Sequence, residues 1–153
     1  MNFNGKATTH KTTFSRETSI GINIQADPAI IWRLLTNSSD FARWNSTVVS
    51  LKGEIKLGNK IQLVSTLDES RTFKLQVKAF EPEKRLVWGD RQGTRTYTLA
   101  KGPDNSVNFS MNEKIGGLMF PMYARFIPPF DESFEQFSAD LKKEAETIQN
   151  TGS

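Results

Sequence analysis

The sequence predicts a single α+β domain in which a curved antiparallel sheet of seven strands wraps around a long C-terminal helix. Three observations lead to this prediction. Seven segments read as strands, several of them with apolar residues alternating at period 2, short turns join the last six segments, and the chain ends in an amphipathic helical pattern. The length of 153 residues is that of one ordinary domain.

The predicted elements begin after a polar segment, residues 1–14, which we expect to form a flexible arm. The first strand follows at residues 18–25, where isoleucine alternates with other residues. Asp27 is then placed to cap a helix that begins with Pro28, a residue tolerated in the first helical turn. A second short helical turn follows at residues 38–45. Two short helices therefore follow the first strand.

The middle of the chain is predicted to be a run of strands without intervening helices. Gly58 and Asn59 form a hairpin signal between the first two of these strands, because both residue types accept positive φ. The other connections are also too short to hold a crossover helix, so we expect an antiparallel meander. The six predicted strands are residues 48–55, 60–67, 71–80, 85–90, 95–100 and 106–115.

The last element is a long amphipathic helix. Its apolar residues recur at spacings of three and four, while acids and lysines occupy the opposite face. Pro128 and Pro129 precede it, so residues 118–127 form at best a separate or kinked helical piece. Residues 150–153 are expected to be a frayed tail, which leaves residues 15–149 as the folded domain. The apolar positions are Phe130, Phe134, Phe137, Leu141, Ala145 and Ile148.

Composition argues against several functional classes. The chain has no cysteine, and its one histidine, His10, lies in the polar arm with no neighbour to complete a metal site or a catalytic triad. The net charge is only +3 and the basic residues are scattered among acidic ones, which argues against nucleic-acid binding. No apolar run approaches the ~20 residues of a membrane span, and residues 1–19 lack the apolar middle of a secretory signal. We therefore expect a cytoplasmic protein with no cofactor, metal, nucleic-acid partner or integral membrane segment.

The order of elements is that of the helix-grip fold, and several short motifs carry a more specific resemblance. These are ADPAIIWRLLTNSSDFARWN at residues 26–45, FEPEKRLVW at 80–88, TRTYTL at 94–99, NEKIGGL at 112–118 and LKKEAE at 141–146. With them, the chain resembles the START-like superfamily, also called SRPBCC or the polyketide cyclase/dehydrase and lipid transport family. The resemblance covers residue 15 to the end. It implies a helix-grip fold shared by binding proteins, transporters and a few enzymes.

Residues 116–130, GGLMFPMYARFIPPF, hold more large apolar side chains than one narrow helical stripe can use. A curved sheet gripping a helix leaves a gap, and we expect this stretch to lid a cavity there, since Met and Phe suit an adaptable wall. The alternatives are a dry packed core and a face that contacts a dimer partner. The residues concerned are Leu118, Met119, Phe120, Met122, Tyr123, Phe126, Ile127 and Phe130.

Strand register predicts a polar cluster beside this cavity. Opposing Trp88 to Tyr97, and Tyr97 to Met111, would place Asp90 and Glu113 on either side of Arg95. Arg95 would then form the polar end of an apolar pocket and hold a hydroxyl, carbonyl or carboxylate of a ligand. The alternative is a solvated charge network at the rim of the sheet.

The predicted function is binding or carriage of a small hydrophobic molecule of lipid, polyketide or aromatic type. The first alternative is a cyclase or dehydratase-like enzyme whose acid or base is Glu113, Asp90, Tyr97 or Tyr123. The second is a protein-interaction module, as in relatives that bind chaperones, and a homodimer is the partner considered for this chain. The predicted ligand-binding residues are Trp88, Arg95, Tyr97, Phe109, Met111, Glu113, Met119, Phe120, Met122, Tyr123, Phe126, Phe130 and Phe134.

Overall fold

The computed structural model describes residues 2–152, which form one curved antiparallel sheet and a long C-terminal helix. The strands are Thr8–Lys11 (β1), Ser15–Ile24 (β2), Val48–Lys52 (β3), Lys60–Ser65 (β4), Asp68–Glu81 (β5), Arg85–Gly89 (β6), Gly93–Lys101 (β7) and Val107–Gly116 (β8). The α-helices are Pro28–Thr36 (α1), Phe41–Trp44 (α2), Phe120–Tyr123 (α3) and Asp131–Thr151 (α4). This architecture confirms the predicted α+β class and helix-grip fold.

The sheet has eight strands in the order β1-β2-β8-β7-β6-β5-β4-β3, one more than predicted. The additional strand, β1, lies within the segment predicted as a flexible arm and pairs with β2 at the edge of the sheet. Its residues, Thr8–Lys11, are mostly exposed and polar, so no apolar alternation marks them in the sequence. Helix α4 extends through Thr151 into the predicted tail, and Met1 and Ser153 lie outside the described residues.

Helix α1 begins where the sequence predicts. The Asp27 side chain caps it by accepting a hydrogen bond from the Ala29 backbone N–H at 2.9 Å, and Pro28 occupies the first helical position. The apolar pattern of this helix also agrees with the structure, because four apolar residues of α1 are buried. They are Ile31, Trp32, Leu34 and Leu35.

Helix α4 follows Pro128 and Pro129, which cannot donate backbone hydrogen bonds and keep it separate from α3. Its 21 residues span about 30 Å. One face is buried against β2, α1 and α2, while Asp131 and Glu132 lie in the first turn, where negative charge favours the helix dipole. The buried face carries Phe134, Phe137, Leu141 and Ala145.

Aromatic rings join α4 to the concave face of the sheet. Tyr97 is fully buried, and its ring lies 5.1 Å from the ring of Trp88 and 5.7 Å from that of Phe137. Phe137 also contacts the rings of Phe41 and Trp44, so one residue of α4 packs on both the sheet and α2. This aromatic packing fills the space between α4, α2 and the sheet.

The strand register differs from the prediction in one hairpin and agrees in the next. Strands β7 and β8 pair Arg95 with Glu113 and Tyr97 with Met111, as predicted. Strands β6 and β7 pair Trp88 with Arg95, so the predicted pairing of Trp88 with Tyr97 is wrong by two residues. A shift of two residues keeps every side chain on its face, so Trp88 and Arg95 still share the concave face.

The β6–β7 turn explains the shift. Asp90 belongs to the turn, where its Oδ1 accepts hydrogen bonds from the backbone N–H groups of Gln92 and Gly93 at 2.8 and 3.0 Å. The Asp90 backbone N–H in turn donates to the Gly93 carbonyl at 2.9 Å. Aspartate often closes a turn in this way. The predicted pairing of Asp90 with Arg95 is therefore wrong.

The two glycines that flank this turn should respond oppositely to alanine. A Cβ added at Gly89 would collide with the backbone carbonyl of Gly93, so Gly89→Ala should cost about 2 kcal/mol or more of unfolding free energy. A Cβ added at Gly93 would meet Lys114 and Ile115 at 3.4 and 3.5 Å, which is ordinary contact. Gly93→Ala should therefore stabilise by about 0.4–1 kcal/mol through the unfolded state. Urea denaturation measures both, and equal changes would contradict this reading of the turn.

Candidate functional site

A cavity of about 150 Å³ lies between the concave face of the sheet and residues 126–130. Its walls are mainly apolar side chains from β4, β5, β6 and β8 and from the segment that precedes α4. Exposed Phe126, Arg71 and Gln92 mark the side where it meets solvent. We call this space the outer cavity. Its main apolar residues are Leu63, Phe73, Leu75, Trp88, Ile115 and Phe130.

A second space of about 20 Å³, the inner cavity, lies deeper and has room for roughly one water molecule. Leu63, Ser65 and Arg95 line both cavities, so these three side chains lie at the boundary between them. Met111 and Phe134 are among the residues that close the inner end. These three residues form the floor of the outer cavity, and Arg95 is the charged one among them.

Arg95 forms a short ion pair with Glu113, its cross-strand neighbour. The Arg95 Nε lies 2.6 Å from Glu113 Oε1, and the two side chains are only 16% and 18% exposed. The guanidinium also lies 5.1 Å from the centre of the Phe134 ring, which holds it from the side of α4. The predicted Arg95–Glu113 part of the polar cluster is confirmed.

Burial and charge act in opposite directions on the ionisable groups here. Burial lowers the pKa of Arg95, but Glu113 and hydrogen bonding to Tyr97 raise it more, so the guanidinium stays charged. Burial also raises the pKa of the Tyr97 hydroxyl, and Arg95 offsets only part of that shift. The floor of the outer cavity is therefore a charged but internally paired donor.

The rim of the outer cavity is held by Arg16, a residue of β2 that sequence reasoning missed. Its side chain is buried, and its two terminal nitrogens donate to the carbonyls of Ile127 and Pro128 at 3.1 and 2.8 Å. The guanidinium lies 4.8 Å from the centre of the Phe130 ring. Burial lowers the pKa of Arg16, while nearby carboxylates oppose the shift. Arg16 thus fixes the segment that forms one wall.

Replacing Arg16 with methionine should loosen this wall. The two carbonyls would lose a charged donor, so we expect the unfolding free energy to fall by about 1–3 kcal/mol and amide exchange to accelerate in residues 124–131. Urea denaturation and hydrogen exchange measure the two effects. Arg125→Met is the matched control, because Arg125 is exposed on the same segment and should change stability by less than about 0.5 kcal/mol. Equal effects of the two substitutions would contradict a clamping role.

The structure distributes the predicted site residues over four environments. Trp88, Arg95, Glu113, Phe126 and Phe130 line the outer cavity. Three of the predicted residues, Arg95, Met111 and Phe134, line the inner cavity. Tyr97, Phe109 and Phe120 are buried without lining either cavity, and Tyr123 packs against the core. Met119 and Met122 are exposed, at 58% and 68%.

The predicted lid is therefore shorter than residues 116–130. Only Phe126, Ile127, Pro128 and Phe130 of this stretch reach the outer cavity, and Leu118 is 87% exposed. Helix α3 has a single turn and a 3-10 turn follows it, so part of its apolar surface faces away from the sheet. The interpretation of the whole stretch as a lid is wrong for its first half.

Part of the outer cavity comes from the β4–β5 hairpin, which sequence reasoning did not assign to the site. Leu63 and Phe73 face each other across the two strands, and Leu67 lies in the turn between them. Arg71 on β5 lies 4.4 Å from the centre of the Phe73 ring. In the sequence, these residues are marked only by the alternation of apolar residues along a strand. That pattern is equally typical of residues in an ordinary packed core.

Within residues 2–152, no group of three or more His, Asp or Glu side chains is arranged to hold a metal ion. In the same part of the chain, no helix combines the length and apolar character needed to cross a membrane.

Comparisons with known proteins show the family and the fold of this chain. The family model described as Activator of Hsp90 ATPase homolog 1-like protein matches residues 25–145. A search of curated proteins finds no match. The match includes α1, the meander and most of α4, and so contains every residue that lines the outer cavity.

Several solved structures share the fold at low sequence identity. A protein from Nitrosomonas europaea has a TM-score of 0.69 at 12% identity and covers 92% of this chain and 99% of its own. A START superfamily protein from Mycobacterium smegmatis has a TM-score of 0.64 at 12% identity, with coverage of 86% and 98%. DynU16, from the dynemicin biosynthetic locus, has a TM-score of 0.64 at 16% identity, with coverage of 87% and 48%. At these identities the similarity shows the fold alone.

Proposed function

The chain belongs to the Activator of Hsp90 ATPase homolog 1-like family of START/SRPBCC-type proteins, and on this basis we propose that it binds a small hydrophobic molecule in the outer cavity. The observation that carries the proposal is a cavity of about 150 Å³ with mainly apolar walls and an internally paired charged group, Arg95, at its floor. An apolar space with a few placed polar groups is the usual form of a small-molecule site.

Binding is favoured over turnover because the candidate catalytic groups are already engaged. Glu113 is ion-paired with Arg95, and Asp90 accepts two backbone hydrogen bonds in the β6–β7 turn. Tyr97 and Tyr123 line neither the outer nor the inner cavity. A general acid or base needs hydrogen-bond reach to its substrate. We therefore propose carriage or sensing of the molecule rather than its conversion.

The experiment measures thermal stabilisation by decanoic acid, 1-naphthol and acetophenone, which represent lipid, polyketide and simple aromatic ligands. A ligand present at 100 times its Kd should stabilise the fold by about 2.7 kcal/mol. The control is Gly93→Val, because a side chain at position 93 would lie beside Ile115 in the outer cavity without a backbone clash. This variant should fold at least as stably as the original chain and lose the ligand effect.

Two results would contradict the proposal. The first is that none of the three compounds stabilises the original chain. The second is that Gly93→Val is stabilised as strongly as the original chain, since the ligand would then bind outside the cavity.

The homodimer stays a prediction. The exposed side chains of Leu118, Met119 and Met122 are the apolar surface through which two copies would meet. Sedimentation velocity over a hundredfold range of protein concentration tests it, and a single monomeric species throughout would end that prediction.

A further inference from the structure

The volume of the outer cavity limits the enclosed part of a ligand to about one ring. Its volume of about 150 Å³ is below the range of about 300–1,000 Å³ that is usual for drug-sized ligands. An apolar cavity of about 150 Å³ engineered into another protein binds benzene. A ring with one small substituent therefore fits the outer cavity, whereas a lipid acyl chain or a fused polyketide exceeds it.

The walls favour an aromatic ring. Four of the lining residues are aromatic: Trp88 from the sheet floor, Phe73 from β5, and Phe126 and Phe130 from the opposite wall. Rings enclosed by other rings gain stacked or edge-to-face contacts beyond the area that they bury. A flat guest between the sheet and residues 126–130 would contact aromatic side chains on both faces of its ring.

The floor offers hydrogen-bond donors. A guanidinium carries five N–H donors and no acceptor. In Arg95, Nε donates to Glu113, and hydrogen bonding to Tyr97 uses part of the remaining capacity. The guanidinium has more N–H groups than these two partners use, and Arg95 lines both cavities. The matching group on the guest is an oxygen acceptor.

Charge then separates a neutral acceptor from an anionic one. Arg95 is already balanced by Glu113 at 2.6 Å, and the other charged lining residues are Asp68, Asp90 and Arg71. Behind the wall, buried Arg16 has favourable electrostatic interactions with Glu113 and Asp131. Three carboxylates and two guanidinium groups therefore line the cavity, so its lining has an excess of negative charge. A second carboxylate beside Glu113 would be disfavoured by desolvation and like-charge repulsion. A neutral carbonyl avoids both costs.

We infer that the outer cavity binds a neutral molecule with a single aromatic ring and one carbonyl group, whose oxygen accepts a hydrogen bond from Arg95. This inference rests on the proposed binding function and narrows its ligand class.

Three compounds of nearly the same shape test the inference: acetophenone, α-methylstyrene and benzoate. They present a neutral acceptor, no acceptor and an anion, respectively. NMR titration of the tryptophan indole N–H signals gives each Kd. Trp88 lines the outer cavity and should report binding. Trp44 is the internal control, because it is buried with its Nε1 unpartnered, like that of Trp88, but lines neither cavity.

The critical comparison uses the double variant Arg95→Leu/Glu113→Leu, which removes both charges and leaves no buried ion unpaired. Acetophenone should bind about tenfold more weakly to this variant, because it loses a hydrogen bond to a charged donor. α-Methylstyrene, which has the same skeleton without the acceptor, should change by less than about twofold. Benzoate should bind the original chain at least tenfold more weakly than acetophenone does.

The outcomes separate the inference from the proposed function. If acetophenone and α-methylstyrene lose affinity equally in the double variant, or if benzoate binds most tightly, the inference is wrong while binding in the cavity stands. If none of these compounds binds but decanoic acid or 1-naphthol stabilises the protein, the ligand class is again wrong and the function stands. If none of the five compounds binds, both are wrong.

Discussion

Arg95→Leu should lower the free energy of unfolding by about 2–4 kcal/mol, although Arg95 lies at a cavity rather than in the densest core. The substitution leaves Glu113 only 18% exposed without its partner at 2.6 Å. Removing one member of a buried ion pair is strongly destabilising, because the other charge then lacks both solvent and partner. Because both side chains are slightly exposed, we expect a loss near the lower end of the range that is typical for breaking a buried ion pair. Urea denaturation at neutral pH measures it.

The double variant Arg95→Leu/Glu113→Leu distinguishes the contribution of the ion pair to stability from the contribution of side-chain packing. Replacing both charges by apolar groups removes the uncompensated carboxylate, so most of the lost stability should return. Glu81→Leu is a matched surface control, because its partner Arg85 is 49% exposed and the pair should contribute at most about 1 kcal/mol. If the double variant is less stable than Arg95→Leu alone, the cost arises from lost volume and the ion-pair account is wrong.

Phe137→Ala should cost about 3–5 kcal/mol of unfolding free energy. Phe137 is 1% exposed, and its ring contacts those of Phe41, Trp44 and Tyr97. Truncation would therefore open a void at the junction of α4, α2 and the sheet. Chemical denaturation should show a lower midpoint with little change in slope, because the unfolded surface is nearly the same.

Phe126→Ala is the matched control for this prediction. Phe126 is 70% exposed, so the same truncation should change stability by less than about 0.5 kcal/mol. Because Phe126 also lines the outer cavity, its loss should weaken ligand binding without a comparable effect on folding. A loss of stability close to that of Phe137→Ala would show that residues 126–130 belong to the folding core.

Local chemistry explains why the helices could be predicted. Asp27 caps α1 through its own side chain, and Pro28 occupies the position that a helix tolerates. The proline pair before α4 likewise separates it from α3 within a few residues of sequence. These interactions join residues that are neighbours in the chain, so the sequence displays both partners together. Strand β1 has no such signal, because an exposed edge strand needs no apolar face.

Register depends on turn chemistry, and one assignment failed there. In β7–β8 the pairing of Arg95 with Glu113 agrees with opposite charges and aligned apolar faces. In β6–β7 the same reasoning paired Asp90 with Arg95, but the Asp90 carboxylate satisfies two backbone donors of the turn instead. Side-chain matching alone could not choose between these partners, because a shift of two residues leaves each strand face unchanged.

The candidate site could be predicted in part for the same reason. Arg95 and Glu113 show complementary charge in adjacent strands, whereas Arg16 bonds to backbone carbonyls of residues 127 and 128, which are 111 and 112 positions away in sequence. Carbonyl acceptors exist at every residue and leave no mark in a sequence. The direction of side chains in a one-turn helix such as α3 is equally unmarked, so Met119 and Met122 could not be told from wall residues.

The pairing of β2 with β8 has a consequence for how the chain is made. This ladder joins Ser15 to Gly116 and Ile24 to Val107, so the segment between its two strands contains most of the polypeptide. Closing so long a loop is entropically costly, and folds dominated by distant pairings form in milliseconds to seconds rather than microseconds. On the ribosome, the meander can assemble strand by strand, but β2 must wait for β8 to emerge. Until then the isoleucines of β2 and the backbone groups that later pair with β8 stay exposed, and such surfaces favour aggregation during folding.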